Sequence, residues 1–373
     1  MAGLSCWATD TRKIARSSLC WQRFGTRKRP RSISCCSTER REGFMPQPSY
    51  AYACARISAL EKSLFGRDAI RRMAEGSLED AIRMLSDAKY GNIPDATSED
   101  TERMIESVRK QTAETIRDLS PDASLTDLFL LQTDAQNLKV LIKARLLGTT
   151  DIIWLEGGLF SREQLSTMVA EAKYDLLPEE MQRAMAHLEA KLKIAEEPQL
   201  VSVYTDYGYH AHCLKASESM KEPFIRQYFA ALCDFNNVIT FLRMRAMGAQ
   251  KEDLKDVLLP NAGVRSHALI DAYELSAETL TKAISSSVVK SSLQDGLNKM
   301  LATGSISMLE KTRDDYLLSL VNEHRHDSMT IFPVVGYFLA RDREAKAVRL
   351  IVTVKRNGLD DAVIAERLRE LYG

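Results

Sequence analysis

Two histidine clusters carry the residue types most able to ligate a metal ion or serve an enzyme: His210-x-His212 and His324-x-His326-Asp327. Residues two apart on a helix diverge, so neither pair chelates one ion well. Neither stands in the His-Glu-x-x-His arrangement that sets two imidazoles on one helix face beside a carboxylate. The chain also has no Gly-x-x-x-x-Gly-Lys loop and no Gly-x-Gly-x-x-Gly turn after a strand to cradle phosphate. The expectation is therefore no catalytic residue, no cofactor and no metal. A polar helix end is expected near His324, and a partly buried turn near His210 with Tyr204, Tyr207 and Tyr209 packed in it. An enzyme using His324, His326 and Asp327 stays open as a competing reading, to be tested by metal analysis of the purified protein.

A second polar pattern recurs at long range. Asp134-x-x-Asn137-Leu138-Lys139-x-Leu141 is followed by Lys143 and Gly148. Asp234-x-x-Asn237-Val238-x-x-Phe241 is followed by Arg243 and Gly248. A degraded third copy reads Glu344-x-x-Ala347-Val348-Arg349-x-Ile351, then Gly358. The glycine lies fourteen residues after the acid each time. A period near one hundred residues is a small domain, not a solenoid unit. Asp134, Leu138 and Leu141 share one side of a helix, so the acid and Asn137 sit with the apolar stripe, partly buried. Such groups need partners, in neighbouring backbone or in Arg or Lys. Two roles are open for them: locking each module's helices together, or presenting Lys139, Lys143, Arg243, Arg245 and Arg349 to a partner.

The elements that position these residues are helical. Tyr50, Ala53, Cys54, Ile57, Leu60 and Leu64 form one apolar stripe. Ser77 with Asp80 three residues on reads as a helix start, and Gly91 and Pro94 as its stop. A longer helix carries Met104 to Leu119 and ends at Pro121, and the first repeat helix runs from about Leu125 to Leu147 with Gly148 as its cap. Leu64-Phe65-Gly66-Arg67 is echoed by Leu159-Phe160-Ser161-Arg162, and more weakly by Val264 and Leu269. No convincing strand is present; the β-branched run 350–354 lies inside the third repeat helix. The fold class is all-α, with modules at 45–150, 151–255 and 256–373.

Apolar content of 45% and charge of 27% are ordinary for a globular chain, and 17 Gly and 10 Pro in 373 residues fit long helices joined by few turns. Net charge is zero, but residues 1–44 hold ten Lys and Arg against three acids, leaving 41 basic against 48 acidic in the rest. Nothing there suggests a nucleic-acid surface. Cys54, Cys213 and Cys233 are too scattered for a disulfide framework, which points to a reducing compartment. No apolar run is long enough to span a bilayer. The leader 1–44 fits either a transit peptide or translated upstream sequence before a true start at Met45. The second is preferred, because Glu39 to Gly43 can be encoded around AGGAGG, a bacterial ribosome-binding sequence, three codons before Met45. Either way the leader is expected to be disordered and without a functional part.

Tyr50-Ala51-Tyr52-Ala53-Cys54-Ala55-Arg56-Ile57 resembles the opening helix of the C subunit of A/V-type ATP synthases, relatives of the d subunit of eukaryotic V-ATPases. The Asp134 helix resembles that family's first repeat helix, and Gly336-Tyr337-Phe338-Leu339-Ala340 through Ile351 its closing module, with a final Leu368-Arg369-Glu370-Leu371-Tyr372. The resemblance covers residues 49–373 in order and length; Ala347 in place of Asn and the leader depart from it. It implies a funnel-shaped body of three similar helical domains about a pseudo-threefold axis. It implies a non-catalytic central-stalk subunit at the cytoplasmic face of the membrane, a socket between the membrane rotor ring and the central shaft. Such a protein transmits torque for ATP synthesis or ATP-driven proton or sodium transport and touches the membrane only through the complex. Candidate interface or inter-helix residues are Asp134, Asn137, Lys139, Lys143, Asp234, Asn237, Arg243, Arg245, Glu344 and Arg349. The competing class is a soluble helical scaffold or adaptor unrelated to rotary motors.

Overall fold

Apolar stripes at helical spacing, with capping residues at their starts, make every regular element here a helix. The computed structural model describes residues 49–371 apart from 89, 91–96, 260–262, 276, 326, 328 and 370. The leader, and Gly91, Pro94, His326, Glu370 and Tyr372 of the sequence reading, lie outside these residues. The chain is all-α, with no strand among the described residues.

A lead helix α1 (Tyr50–Glu61) precedes α2 (Arg67–Glu75), α3 (Leu78–Asp87), α4 (Ser98–Leu119) and α5 (Ala123–Leu147). Then come α6 (Arg162–Glu171), α7 (Glu179–Leu192), α8 (Pro198–Glu218), α9 (Pro223–Ala246) and the short α10 (Lys251–Lys255). The last run is α11 (Ser266–Ala272), α12 (Ala277–Ala283), α13 (Lys290–Thr303), α14 (Ile306–Glu323), α15 (Phe332–Arg356) and α16 (Ala362–Arg367). Ser77 and Asp80 form the expected capping box of α3, and Thr97 with Asp100 and Ser161 with Gln164 do the same for α4 and α6. The three repeat helices α5, α9 and α15 each run into a glycine of left-handed backbone, Gly148 (φ 63°), Gly248 (φ 69°) and Gly358 (φ 60°). The run 350–354 is helical within α15.

Each repeat helix is buried nearly all round, which explains its apolar density. The packing order follows the chain: α5 lies on α8, α9 on α14, and α15 returns to α4. One apolar core consequently extends from α1 to α15, and a second joins α2, α3 and α4 to the later part of α15. Cys54, Cys213 and Cys233 are free thiols inside these helices.

The turn expected near His210 is absent. Residues 198–218 are one helix, with Pro198 in its first turn and His210, Tyr204, Tyr207 and Tyr209 along its length. Gly208, on the same helix, serves close approach: a Cβ there would meet the Ala184 Cβ at 2.8 Å and the Met181 Cα at 3.0 Å, both on α7. His324 does stand at a helix end, capping α14, and its Nδ1 lies 2.8 Å from Asp327.

Candidate functional site

The repeated acids do one job three times. Asp134, fully buried on α5, accepts the Leu159 N–H at Oδ2 (2.7 Å) and the Phe160 N–H at Oδ1 (3.2 Å), just ahead of α6. Asp234 on α9 accepts the Val264 N–H (2.8 Å) just ahead of α11, and the Ser287 hydroxyl. Glu344 on α15 accepts the Phe65 N–H, just ahead of α2, together with the Tyr90 hydroxyl and Arg341 Nη1 (2.6 Å). In each case the clasped residue immediately precedes the N-cap of a short helix: Ser161, Arg265 or Gly66. The echo of Leu64-Phe65 in Leu159-Phe160 is thus the echo of one hydrogen bond. The first two clasps are tight enough to require glycine: a Cβ on Gly158 would stand 2.2 Å from Asp134 Oδ1, and one on Gly263 2.6 Å from Asp234 Oδ2.

The asparagines clamp one peptide each. Asn137 donates to the Leu155 carbonyl (2.8 Å) and accepts the Leu155 N–H (3.0 Å). Asn237 treats Leu259 the same way, at 3.2 and 2.8 Å. Leu155 and Leu259 stand five residues before Phe160 and Val264 and lie outside helices. The residue five before Phe65 is Leu60, inside α1, whose carbonyl already accepts the Ser63 N–H (3.0 Å) and hydroxyl (2.7 Å). The third copy has no loose peptide to clamp at that offset, which accounts for Ala347 in place of Asn.

The bases join successive helices across the packing seams. Lys139 pairs with Asp206, and Lys143 donates to the Ser202 hydroxyl (2.8 Å), both across α5 and α8. Arg243 on α9 pairs with Glu310 on α14 (2.6 Å) and lies 3.7 Å from Asp206. Arg349 on α15 pairs with Glu102 (2.8 Å) and Glu106 (2.5 Å) on α4, where Arg109 also reaches Asp342 (2.5 Å). Arg245 is exposed, its guanidinium 5.6 Å from the Phe241 ring centroid. The acids receiving these bases were missed in the sequence, although a signal was there: Glu102, Asp206 and Glu310 are spaced 104 residues apart.

Five long helices, α5, α8, α9, α14 and α15, with Arg367, Leu368 and Arg369, line a half-open cavity of about 1120 Å³. Lys139, Lys143, Asp206, Arg243, Glu310 and Asp342 line it. Asn137, Asp134, Asp234, Asn237, Arg245, Glu344 and Arg349 do not, so the candidates divide into clasps, seam pairs and cavity wall. Burial alone would push Asp206 up, but the Lys139 ammonium and its neighbours hold it below the usual carboxylate range. His210 on the same wall is pushed down to about 3 by burial, and stays neutral. Its Nε2 lies 2.7 Å from the Asn236 amide, and Arg313 braces the Asn236 oxygen (2.9 Å). Among the described residues no three His, Cys, Asp or Glu side chains converge to hold a metal ion. None of these helices is long and apolar enough to cross a membrane.

A polar-walled, all-helical chain of this kind has known relatives. The family model for the ATP synthase (C/AC39) subunit matches residues 53–367. The chain belongs to that family. The C subunit of the A-type ATP synthase of Desulfurococcus sp. (strain SY) is 23% identical over 348 residues, 87% of this chain and 90% of the relative. Its counterpart in Thermococcus onnurineus is 22% identical over 351 residues, again 87% and 90%. The C subunit of the V-type sodium ATPase of Enterococcus hirae is 20% identical over 321 residues, 85% and 97%. The reading as an unrelated scaffold or adaptor falls with these matches.

Proposed function

We propose that the chain is the non-catalytic central-stalk socket of an A/V-type rotary ATPase, joining the membrane rotor ring to the shaft at the cytoplasmic face. In this role it carries torque for ATP synthesis or for ATP-driven proton or sodium transport, and it meets the membrane only through the complex. Its body is three similar modules, 45–150, 151–255 and 256–373, about a pseudo-threefold axis, in the funnel form that the resemblance implies. The observation that carries this reading is the cycle of clasps. The acid of each repeat helix holds the lead-in to the next module, and the acid of the third holds Phe65 of the first. The packing of α5 on α8, α9 on α14 and α15 on α4 runs in the same cycle. A closed cycle resists twisting, because no module can turn without breaking two seams. Buried polar pairs with one geometry each suit that purpose better than interchangeable apolar contacts.

The test is reconstitution. ATPase complexes lacking this chain are prepared and ATP-driven ion transport is followed on adding it back. The expected result is transport restored, with ring and shaft proteins both recovered on the tagged chain. Restored transport without recovery of either partner, or full transport in its absence, contradicts the socket role.

A further inference from the structure

Nearly all of the cavity wall is long helix. Besides Met247, the wall residues that stand off α5, α8, α9, α14 and α15 are Arg367, Leu368 and Arg369, the end of the short α16 and the two residues after it. Arg367 is exposed, so this segment lies at the rim of the cavity. Its hold has three parts. The Leu368 N–H bonds the Ile364 carbonyl (2.8 Å), the Leu368 side chain rests half-buried on the second apolar core, and Arg369 Nε reaches Asp314 Oδ2 on α14 (3.2 Å). Ile364 and Leu371, on either side, are buried in that same core. The segment is therefore a strap, anchored before and after, that leans on α14 at the rim.

The ion pair under the strap differs from the seam pairs. The Arg369 and Asp314 side chains are 25% and 29% exposed, and water screens their attraction. Asp314 does not depend on Arg369 either, because Arg313 donates to its Oδ1 from Nε (2.9 Å) and from Nη2 (2.7 Å). Lifting Arg369 off strands no charge, so this is the part of the wall that can move without breaking a helix or orphaning a buried group. We propose that residues 367–369 form an autoinhibitory strap, which covers part of the rim while docked on Asp314 and lifts before the shaft seats. This rests on the socket reading above, which gives the cavity its partner. Strap and shaft compete for one rim, so only the fraction of molecules with the strap lifted is competent to bind. A partly exposed pair shifts that fraction by about fivefold at most, so the strap slows entry without forbidding it.

The experiment follows association of the purified shaft proteins with the full chain by biolayer interferometry, and hydrogen exchange of the Leu368 amide with and without the shaft. Arg369→Glu sets a second carboxylate against Asp314 and is expected to speed association about two- to fivefold over wild type. Leu368→Ala loosens the strap with no change of charge and speeds association as well, so electrostatic steering of the shaft is not the cause. Arg369→Lys keeps a cation at Asp314 and stays near wild type. In wild type the Leu368 amide, bonded to Ile364 in the free chain, exchanges faster once the shaft is bound. Association unchanged in both Arg369→Glu and Leu368→Ala, with the Leu368 amide equally protected in the two states, overturns the strap and leaves the socket standing. Faster dissociation in those two variants, with association unchanged or slower, makes the segment a latch over a seated shaft and overturns the competition. No shaft binding by wild type overturns the socket reading itself.

Discussion

At the scale of single residues, burial outweighs hydrogen bonding at Asp134. Removing its carboxylate from water raises its pKa to about 7, although the Leu159 and Phe160 N–H groups pull it down. Its folded value lies above its unfolded one, so the folded state holds a proton that the unfolded state releases between about pH 4 and 7. The stability this supplies is complete below about pH 4 and is lost as pH rises through 7. Urea unfolding of wild type and Asp134→Asn between about pH 5 and 8 checks this. The deficit of the variant should shrink by up to about 3 kcal/mol as pH rises; a constant deficit contradicts it. The asparagine clamps predict an opposite pair of outcomes. Asn137→Ala strands both polar groups of Leu155 and should lose about 2 kcal/mol. Ala347→Asn should not stabilise, because Leu60 is already bonded within α1 and offers the new amide no free peptide to clamp. Stabilisation by Ala347→Asn in thermal melts would contradict this account of the degraded third copy.

At the scale of elements, the helices were legible and their seams were not. The repeat helices, their terminal glycines and the capping box at Ser77 follow from local rules of spacing and backbone chemistry. The cycle of packing depends on which distant helix each repeat helix meets, and no local rule carries that. The stretch around His210 shows the limit: with Tyr204, Tyr207 and Tyr209 it reads as a partly buried turn, whereas it is helical and its Gly208 lets α7 approach α8. The bases Lys139, Lys143, Arg243 and Arg349 were recognised, but their roles were not, because their partners Glu102, Asp206 and Glu310 lie on other helices. Charge alone could not distinguish Arg349, which locks α15 to α4, from Arg243, which also faces the cavity. Arg349→Ala leaves Glu102 without its guanidinium and the mostly buried Glu106 with Arg109 alone (3.5 Å), and should lower stability by about 3 kcal/mol. Hydrogen exchange should report the loss first in α4 and α15; uniform loosening of all helices would contradict a local seam.

At the scale of the whole molecule, the three clasps and three seams make one closed circuit around a polar cavity, and family membership says what kind of machine such a body belongs to. Glu344 on α15 holds the Phe65 N–H just ahead of α2, so the last of the three clasps brings the late part of the chain back to its early part. The most direct test of the central claim is electron cryo-microscopy of the assembled complex. The account predicts shaft density inside the cavity between α5, α8, α9, α14 and α15, with the rotor ring on the opposite side of the chain. An empty cavity, with shaft and ring both contacting other surfaces, would contradict it.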